Sequence, residues 1–106
     1  MEIRTVADSV AFSEEKMKKN SLFDSPYLFY DAYCLLPGQA QKVHAHEDSD
    51  KVYYVLRGTG RFTVGEEERN LGAGEAIIAR AGDTHGVSNE TQEELVLIVT
   101  MAPRPS

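Results

Sequence analysis

The sequence is short of cysteine, long apolar runs and basic residues, and each shortage excludes a class of protein. Cys34 is the one cysteine, so no disulfide can form within the chain, and a reducing cytoplasmic location is expected. No apolar stretch approaches the roughly 20 residues that span a bilayer, and the amino terminus has neither the basic start nor the apolar centre of a signal peptide. The 11 basic residues against 17 acidic ones give a net charge of −6, which argues against nucleic acid as a partner.

What the chain does contain is a series of short runs typical of β-strands. Its 106 residues, 42% of them hydrophobic, suffice for one compact domain. From Tyr27 onward, runs rich in β-branched and aromatic residues are separated by glycine or proline. They predict strands over 27–36, 39–46, 51–57, 61–64, 67–71, 76–79, 84–89 and 95–101. Because so many short strands must hide their edges, the sequence predicts an all-β fold, an antiparallel sandwich or closed barrel.

The segment before these strands predicts a short helix. Over 13–20, a serine suited to an N-cap is followed by two acidic residues and then by lysines, which complement the two ends of a helix. We therefore divide the chain into an N-terminal extension with a short helix (1–26), a barrel (27–102) and a tail (103–106).

The three histidines suggest a shared site. His44 and His46 are two residues apart in a predicted strand, so both imidazoles point to one face, a geometry that can chelate a metal. His85 opens another predicted strand just after a turn that contains glycine. One such histidine alone is more often an ordinary surface or hydrogen-bonded residue, but the three together favour a common site.

The spacing around the first two histidines resembles the first motif of the cupin family of small β-barrels. In that motif a glycine, five residues and His-x-His are followed by a glutamate and, seven residues later, by a glycine. Here Gly38, "QAQKV", His44 and His46 are followed by "EDSD", Lys51, "VYYVLR" and Gly58. Lys51 therefore stands where the family has a metal-binding glutamate.

The second cupin motif is present in register as well. Gly74 and "EAIIA" are followed by Arg80, where the family has a proline, and by Gly82, His85 and Asn89 at the family's spacing. The resemblance covers roughly residues 27 to 101 and implies an antiparallel jelly-roll β-barrel. The proline only stiffens a turn, so its replacement matters little.

The resemblance also implies a divalent transition metal, Mn, Fe, Ni or Zn, held by His44, His46 and His85 with open positions for a ligand. A protonated Lys51 cannot bind a metal. The metal would then have three neutral protein ligands and water, or would recruit a carboxylate from the loop that contains Glu47, Asp48 and Asp50.

Lys51 has two alternative roles. If it faces the interior, as strand parity predicts also for Tyr53 and Val55, the site is strongly cationic and favours a small anionic organic ligand. Lys51 and Tyr53 are then the candidate catalytic residues, with Lys51 as charge partner or proton carrier. Alternatively, its ammonium curls outward to the acidic loop and has no chemical role.

The fold does not determine the function. One hypothesis is a metal-dependent enzyme of the oxygenase or isomerase kind. The other is a non-catalytic binding or sensor barrel with a weak or absent metal site. The resemblance also implies a homodimer, which agrees with the apolar residues of the N-terminal segment "IRTVADSVAF".

Overall fold

Nine antiparallel strands form two sheets in the computed structural model, which describes residues 1–105. Five strands form one sheet in the order β1-β2-β9-β4-β7, and four form the other in the order β3-β8-β5-β6. This confirms the predicted all-β jelly-roll fold. The strands are β1 Lys18–Asp24, β2 Phe29–Leu35, β3 Ala40–His44, β4 Asp50–Arg57, β5 Thr59–Val64, β6 Glu67–Gly72, β7 Ala76–Ala79, β8 His85–Ser88 and β9 Leu95–Ala102.

The N-terminal segment contains a short helix, but not where the sequence predicted it. A single 3-10 turn covers Val6–Ser9. The helix predicted over 13–20 is wrong, because residues 14–16 form a bend and β1 begins at Lys18. Strand β1 pairs with β2 along its length, and these long-range backbone hydrogen bonds outweigh the local helix-capping pattern.

The main core lies between the two sheets. Along β4, burial alternates so that Lys51, Tyr53 and Val55 face inward, while Val52 and Tyr54 face outward. The predicted strand parity is therefore confirmed. The inner core residues are Tyr33, Leu35, Tyr53, Val55, Phe62, Ile77, Val87, Leu95, Leu97 and Val99.

A second apolar cluster lies on the outer face of the five-stranded sheet, beneath the N-terminal segment. It contains Cys34, which is fully buried, as expected of a small hydrophobic residue. Val6, Val10 and Phe12 pack against it, and the Asn20 amide donates hydrogen bonds to carbonyl groups of the same segment. These contacts pack the N-terminal segment onto the sheet.

No helix among the described residues is long and apolar enough to cross a membrane. Asn89, the last residue of the second cupin motif, is fully buried, and both ends of its amide form hydrogen bonds. Its nitrogen donates to the carbonyl groups of Leu35 and Glu93, and its oxygen accepts from Thr91.

Candidate metal centre

The three histidines meet in the space between the two sheets. Strand β3 ends at His44, which pairs directly with His85 of β8. His46 lies just beyond the end of β3, in the loop before β4, and its carbonyl accepts a hydrogen bond from the Gly82 backbone amide. One potential ligand atom from each histidine lies within 4.8 Å of the other two. The structure therefore brings together the three residues that the sequence singled out.

Backbone carbonyl groups fix two of the three rings. His44 Nδ1 lies 2.7 Å from the carbonyl oxygen of Lys42, and His85 Nδ1 lies 3.0 Å from that of Asp83. Because a carbonyl can only accept, Nδ1 of each ring carries a proton and Nε2 is the nitrogen left to bind a metal. This arrangement orients metal-binding histidines in many proteins.

The environment favours the neutral form of His46 and of His85. The pKa of His85 is lowered to about 4, mainly by burial and to a lesser extent by the positive charges of Lys51 and the other two histidines, while the hydrogen bond to the Asp83 carbonyl acts in the opposite direction. Burial also lowers the pKa of His46, with a contribution from His44. Neutral imidazole is the form that binds a metal, so these two side chains need not lose a proton near neutral pH.

The donor set fits a divalent transition metal. His85 Nε2 is buried and has no hydrogen-bond partner within residues 1–105, which is costly unless a ligand fills that place. Two nitrogens bound to one metal at about 2.1 Å are at most about 4.2 Å apart. A pair 4.8 Å apart therefore has to close by at least about 0.6 Å on binding, and by more than about 1 Å if the nitrogens take adjacent tetrahedral or octahedral positions.

Lys51 faces the interior, and its side chain is only 1% exposed. Its Nζ donates a hydrogen bond of 3.3 Å to Gln41 Oε1 and lies 5.3 Å from the ring centroid of Tyr33 and 4.9 Å from that of Tyr53. The pKa of Lys51 is lowered to about 7, mainly by burial and to a lesser extent by the nearby charge of Lys19, while Asp31 acts in the opposite direction. The alternative in which the ammonium curls out to the acidic loop is therefore wrong.

Tyr53 is also fully buried beside the histidines. Its hydroxyl donates a hydrogen bond of 2.7 Å to Gln41 Oε1, the same oxygen that accepts from Lys51. Its ring centroid lies 6.2 Å from that of His85. Burial raises the pKa of the Tyr53 hydroxyl, so it remains protonated and holds the Gln41 amide in place.

Sequence reasoning missed Gln41, Tyr33 and Asp31. Gln41 is three residues before His44, so strict alternation would put the two on opposite faces. The register between β3 and β8 shifts between them, and the extra residue of this bulge lets both face inward. Asp31 and Tyr33 lie on β2, where parity alone could have indicated a shared inner face. Burial, and secondarily Asp24, raises the pKa of Asp31.

The acidic loop does not supply a ligand in this arrangement. The metal-binding group formed by the three histidines includes none of Glu47, Asp48 and Asp50. Asp50 instead accepts a hydrogen bond of 2.8 Å from the backbone amide of Ala81. Among the described residues, three histidines and no carboxylate make up the donor set.

Comparison with known proteins identifies the family. A family model described as "Cupin domain" matches residues 32–101, which is most of the chain. The chain belongs to the cupin family. A protein from Thermus thermophilus with a crystal structure is 51% identical in sequence to this cupin. The two structures have a TM-score of 0.96, and the match covers 99% of this cupin and 100% of that chain.

Two more distant proteins are similar to this chain as well. A crystal structure of an RmlC-like cupin from Desulfovibrio desulfuricans has a TM-score of 0.85 and 24% identity, with 98% of each chain covered. A Thermotoga maritima protein named "Oxalate-binding protein" is 27% identical over 67 residues, which are 63% of this cupin. The match spans 55% of the length of the Thermotoga protein.

Proposed function

We propose that this cupin binds a divalent transition metal through His44, His46 and His85, and that the metal and Lys51 together hold a small organic anion. The observation that carries the proposal is the buried Lys51 ammonium within the same interior as three imidazoles that present nitrogen lone pairs. When bound, such a metal supplies Lewis-acid or, if it is redox-active, oxygen-activating chemistry.

The side chains around Lys51 define what it can do. Gln41 Oε1 accepts from both Lys51 and Tyr53, so the lysine is held at one place in the interior. An anion near Nζ favours the charged form and raises the pKa of Lys51, so a bound carboxylate has an ammonium as its partner. With a pKa of about 7 before binding, Nζ can also accept or donate a proton near neutral pH. Tyr53 acts as a positioning residue, because its hydroxyl holds the Gln41 amide that accepts the hydrogen bond from Lys51.

The relative named for oxalate binding supports an anionic ligand, because oxalate is a small carboxylate. The name describes binding, and it favours the second candidate function, a binding or sensor barrel. The proton-transfer capacity of Lys51 favours the first, an enzyme of the isomerase or oxygenase kind. Both candidates share the small ligand, and they differ in whether a metal is firmly held, so the tests of the site come first.

The metal is tested by elemental analysis of the purified protein. The wild type should contain close to one transition metal per site, and His46→Ala should lose it, because two imidazoles remain. Cys34→Ala is the matched control, since it removes a metal-binding type of side chain from the outer cluster and should keep the metal. Equal and negligible metal in the wild type and His46→Ala would end the metal proposal.

The role of Lys51 is tested with Lys51→Glu. A carboxylate beside the histidines should tighten the binding of Mn²⁺ and weaken that of acetate or propionate, both measured by calorimetry. If neither affinity changes, Lys51 is not part of the site. Turnover of the bound carboxylates with added Fe²⁺ or Mn²⁺ then separates the enzyme from the binding barrel.

A further inference from the structure

A cleft opens between β1 and β3, which are edge strands of the two different sheets. It has a volume of about 510 Å³ and is lined by Lys16, Met17, Lys18, Lys19, Ala40 and Gln41. Three of the five lysines of this acidic chain are in the cleft. None of these three makes an ion pair within the described residues. The cleft is therefore a local concentration of free positive charge.

Gln41 connects the cleft to the candidate metal centre. It lines the cleft, and its Oε1 accepts the hydrogen bond from Lys51 Nζ. Lys19 pairs with Tyr33 across β1 and β2, and its Nζ lies 5.5 Å from the Tyr33 ring centroid. Lys51 Nζ lies 5.3 Å from the same centroid. One aromatic ring thus contacts a lysine of the cleft and the lysine of the interior.

The charge of the cleft acts on the interior. Burial is the largest cause of the lowered pKa of Lys51, and the charge of Lys19 is the next largest. The pKa of Asp31 is raised, because burial outweighs the opposing charges of Lys19 and Lys51. A carboxyl group with a raised pKa is a weaker counter-charge for these lysines. A ligand with negative charge at two places would meet complementary charge at both.

We propose that the ligand of this cupin is a dianion, with one anionic group at the metal and Lys51 and the second bound by Lys16 and Lys19 in the cleft. This inference rests on the proposed function and names its ligand class. Both ammonium nitrogens, Lys19 and Lys51, are less than 6 Å from one ring centroid, so they are at most about 11 Å apart. With hydrogen bonds of about 3 Å at each end, a dicarboxylate of about four to six carbons can reach both.

The test compares dicarboxylates with monocarboxylates of equal carbon number. Succinate, glutarate and adipate are titrated by calorimetry into the Mn²⁺-loaded protein beside butyrate, valerate and hexanoate. At one chain length at least, the wild type should bind the dicarboxylate about fivefold more tightly, since two partly solvated lysines contribute modestly. The double variant Lys16→Gln/Lys19→Gln should lose this preference and still bind the monocarboxylate.

Two controls sharpen the result. Arg61→Gln removes one positive charge from β5, where the Arg61 guanidinium donates a hydrogen bond of 3.4 Å to Asn70, and should keep the preference for the dicarboxylate. Malonate can place both carboxylates on one metal, so its affinity should not depend on the cleft lysines.

The outcomes separate this inference from the proposed function. Suppose that monocarboxylates bind and that their binding depends on Lys51. If the wild type then shows no preference for dicarboxylates, or if that preference survives in the double variant, the dianion inference alone is overturned. An equal loss of preference in Arg61→Gln does the same, because the effect is then one of net charge. If no carboxylate binds, or if Lys51→Glu leaves monocarboxylate affinity unchanged, the proposed function fails and the inference fails with it.

Discussion

Replacing Lys51 with methionine should change how the stability of the protein depends on pH. In the unfolded chain Lys51 has its ordinary pKa of 10.5, whereas burial in the fold lowers that pKa to about 7. Between these two values the unfolded state binds more protons than the folded state, so the free energy of unfolding of the wild type rises with pH. Below this window both states are protonated, and the full cost of burying the charge opposes folding.

The size of the effect follows from the two pKa values. Each pH unit inside the window contributes about 1.4 kcal/mol, and Lys51 is half protonated in the fold at about pH 7. From about pH 7 to about pH 9 the wild type should therefore gain about 2 kcal/mol relative to Lys51→Met. Methionine has a similar length, and Tyr53 still donates to Gln41, so the variant leaves no acceptor without a donor.

Urea unfolding of both proteins at the two pH values measures this gain. A chelator keeps metal from the histidines, and the difference between the two proteins cancels the titration of other groups, such as Cys34. If the difference in unfolding free energy between wild type and Lys51→Met is the same at both pH values, the lysine does not titrate as a buried group and the reasoning is refuted.

Two further predictions concern packing. A Cβ added at Gly86 would lie only 2.9 Å from the Gln41 carbonyl oxygen. Gly86→Ala should therefore push β3 away from β8 and separate His44 from His85. We expect it to weaken Mn²⁺ binding at least about tenfold. Gly72→Ala, whose Cβ would have ordinary contacts, is the control, and equal Mn²⁺ affinity in both variants would contradict the reasoning. We also predict a homodimer through the exposed apolar outer face of the five-stranded sheet, formed by Tyr30, Val52, Tyr54, Leu56 and Ile78. Light scattering should give twice the 11.8 kDa of one chain for the wild type and a lower mass for Leu56→Lys, and a mass of one chain for the wild type would refute the dimer.

The strands with strong local patterns could be predicted from the sequence, and the one without such a pattern could not. Strand β4 alternates buried and exposed side chains, and its predicted inner face is correct. Strand β1 buries only Leu22 and owes its conformation to pairing with β2, a contact between distant parts of the chain that local propensity does not contain. The break predicted at 58–60 was also too long, since β5 already begins at Thr59.

The candidate site shows the same division. The histidines were recognisable because their spacing matches two family motifs, although His46 lies beyond the strand that was predicted to carry it. The inward position of Lys51 followed from parity. Gln41 faces the same interior as the histidines and Lys51 only because of the bulge in β3. The alternation of apolar and polar residues along a strand does not predict where such a bulge occurs.

The position of β1 in the chain bears on how the sequence of such a protein can vary among relatives. The family match begins at residue 32, inside β2, so the three histidines lie within the part shared with other cupins and β1 lies before it. The N-terminal segment nevertheless forms one wall of the lysine-lined cleft. Substitutions there can alter which molecules enter while the imidazoles stay untouched. If the proposed function holds, an exchange of residues 13–24 between relatives should change the preference for ligands and leave the three histidines in place.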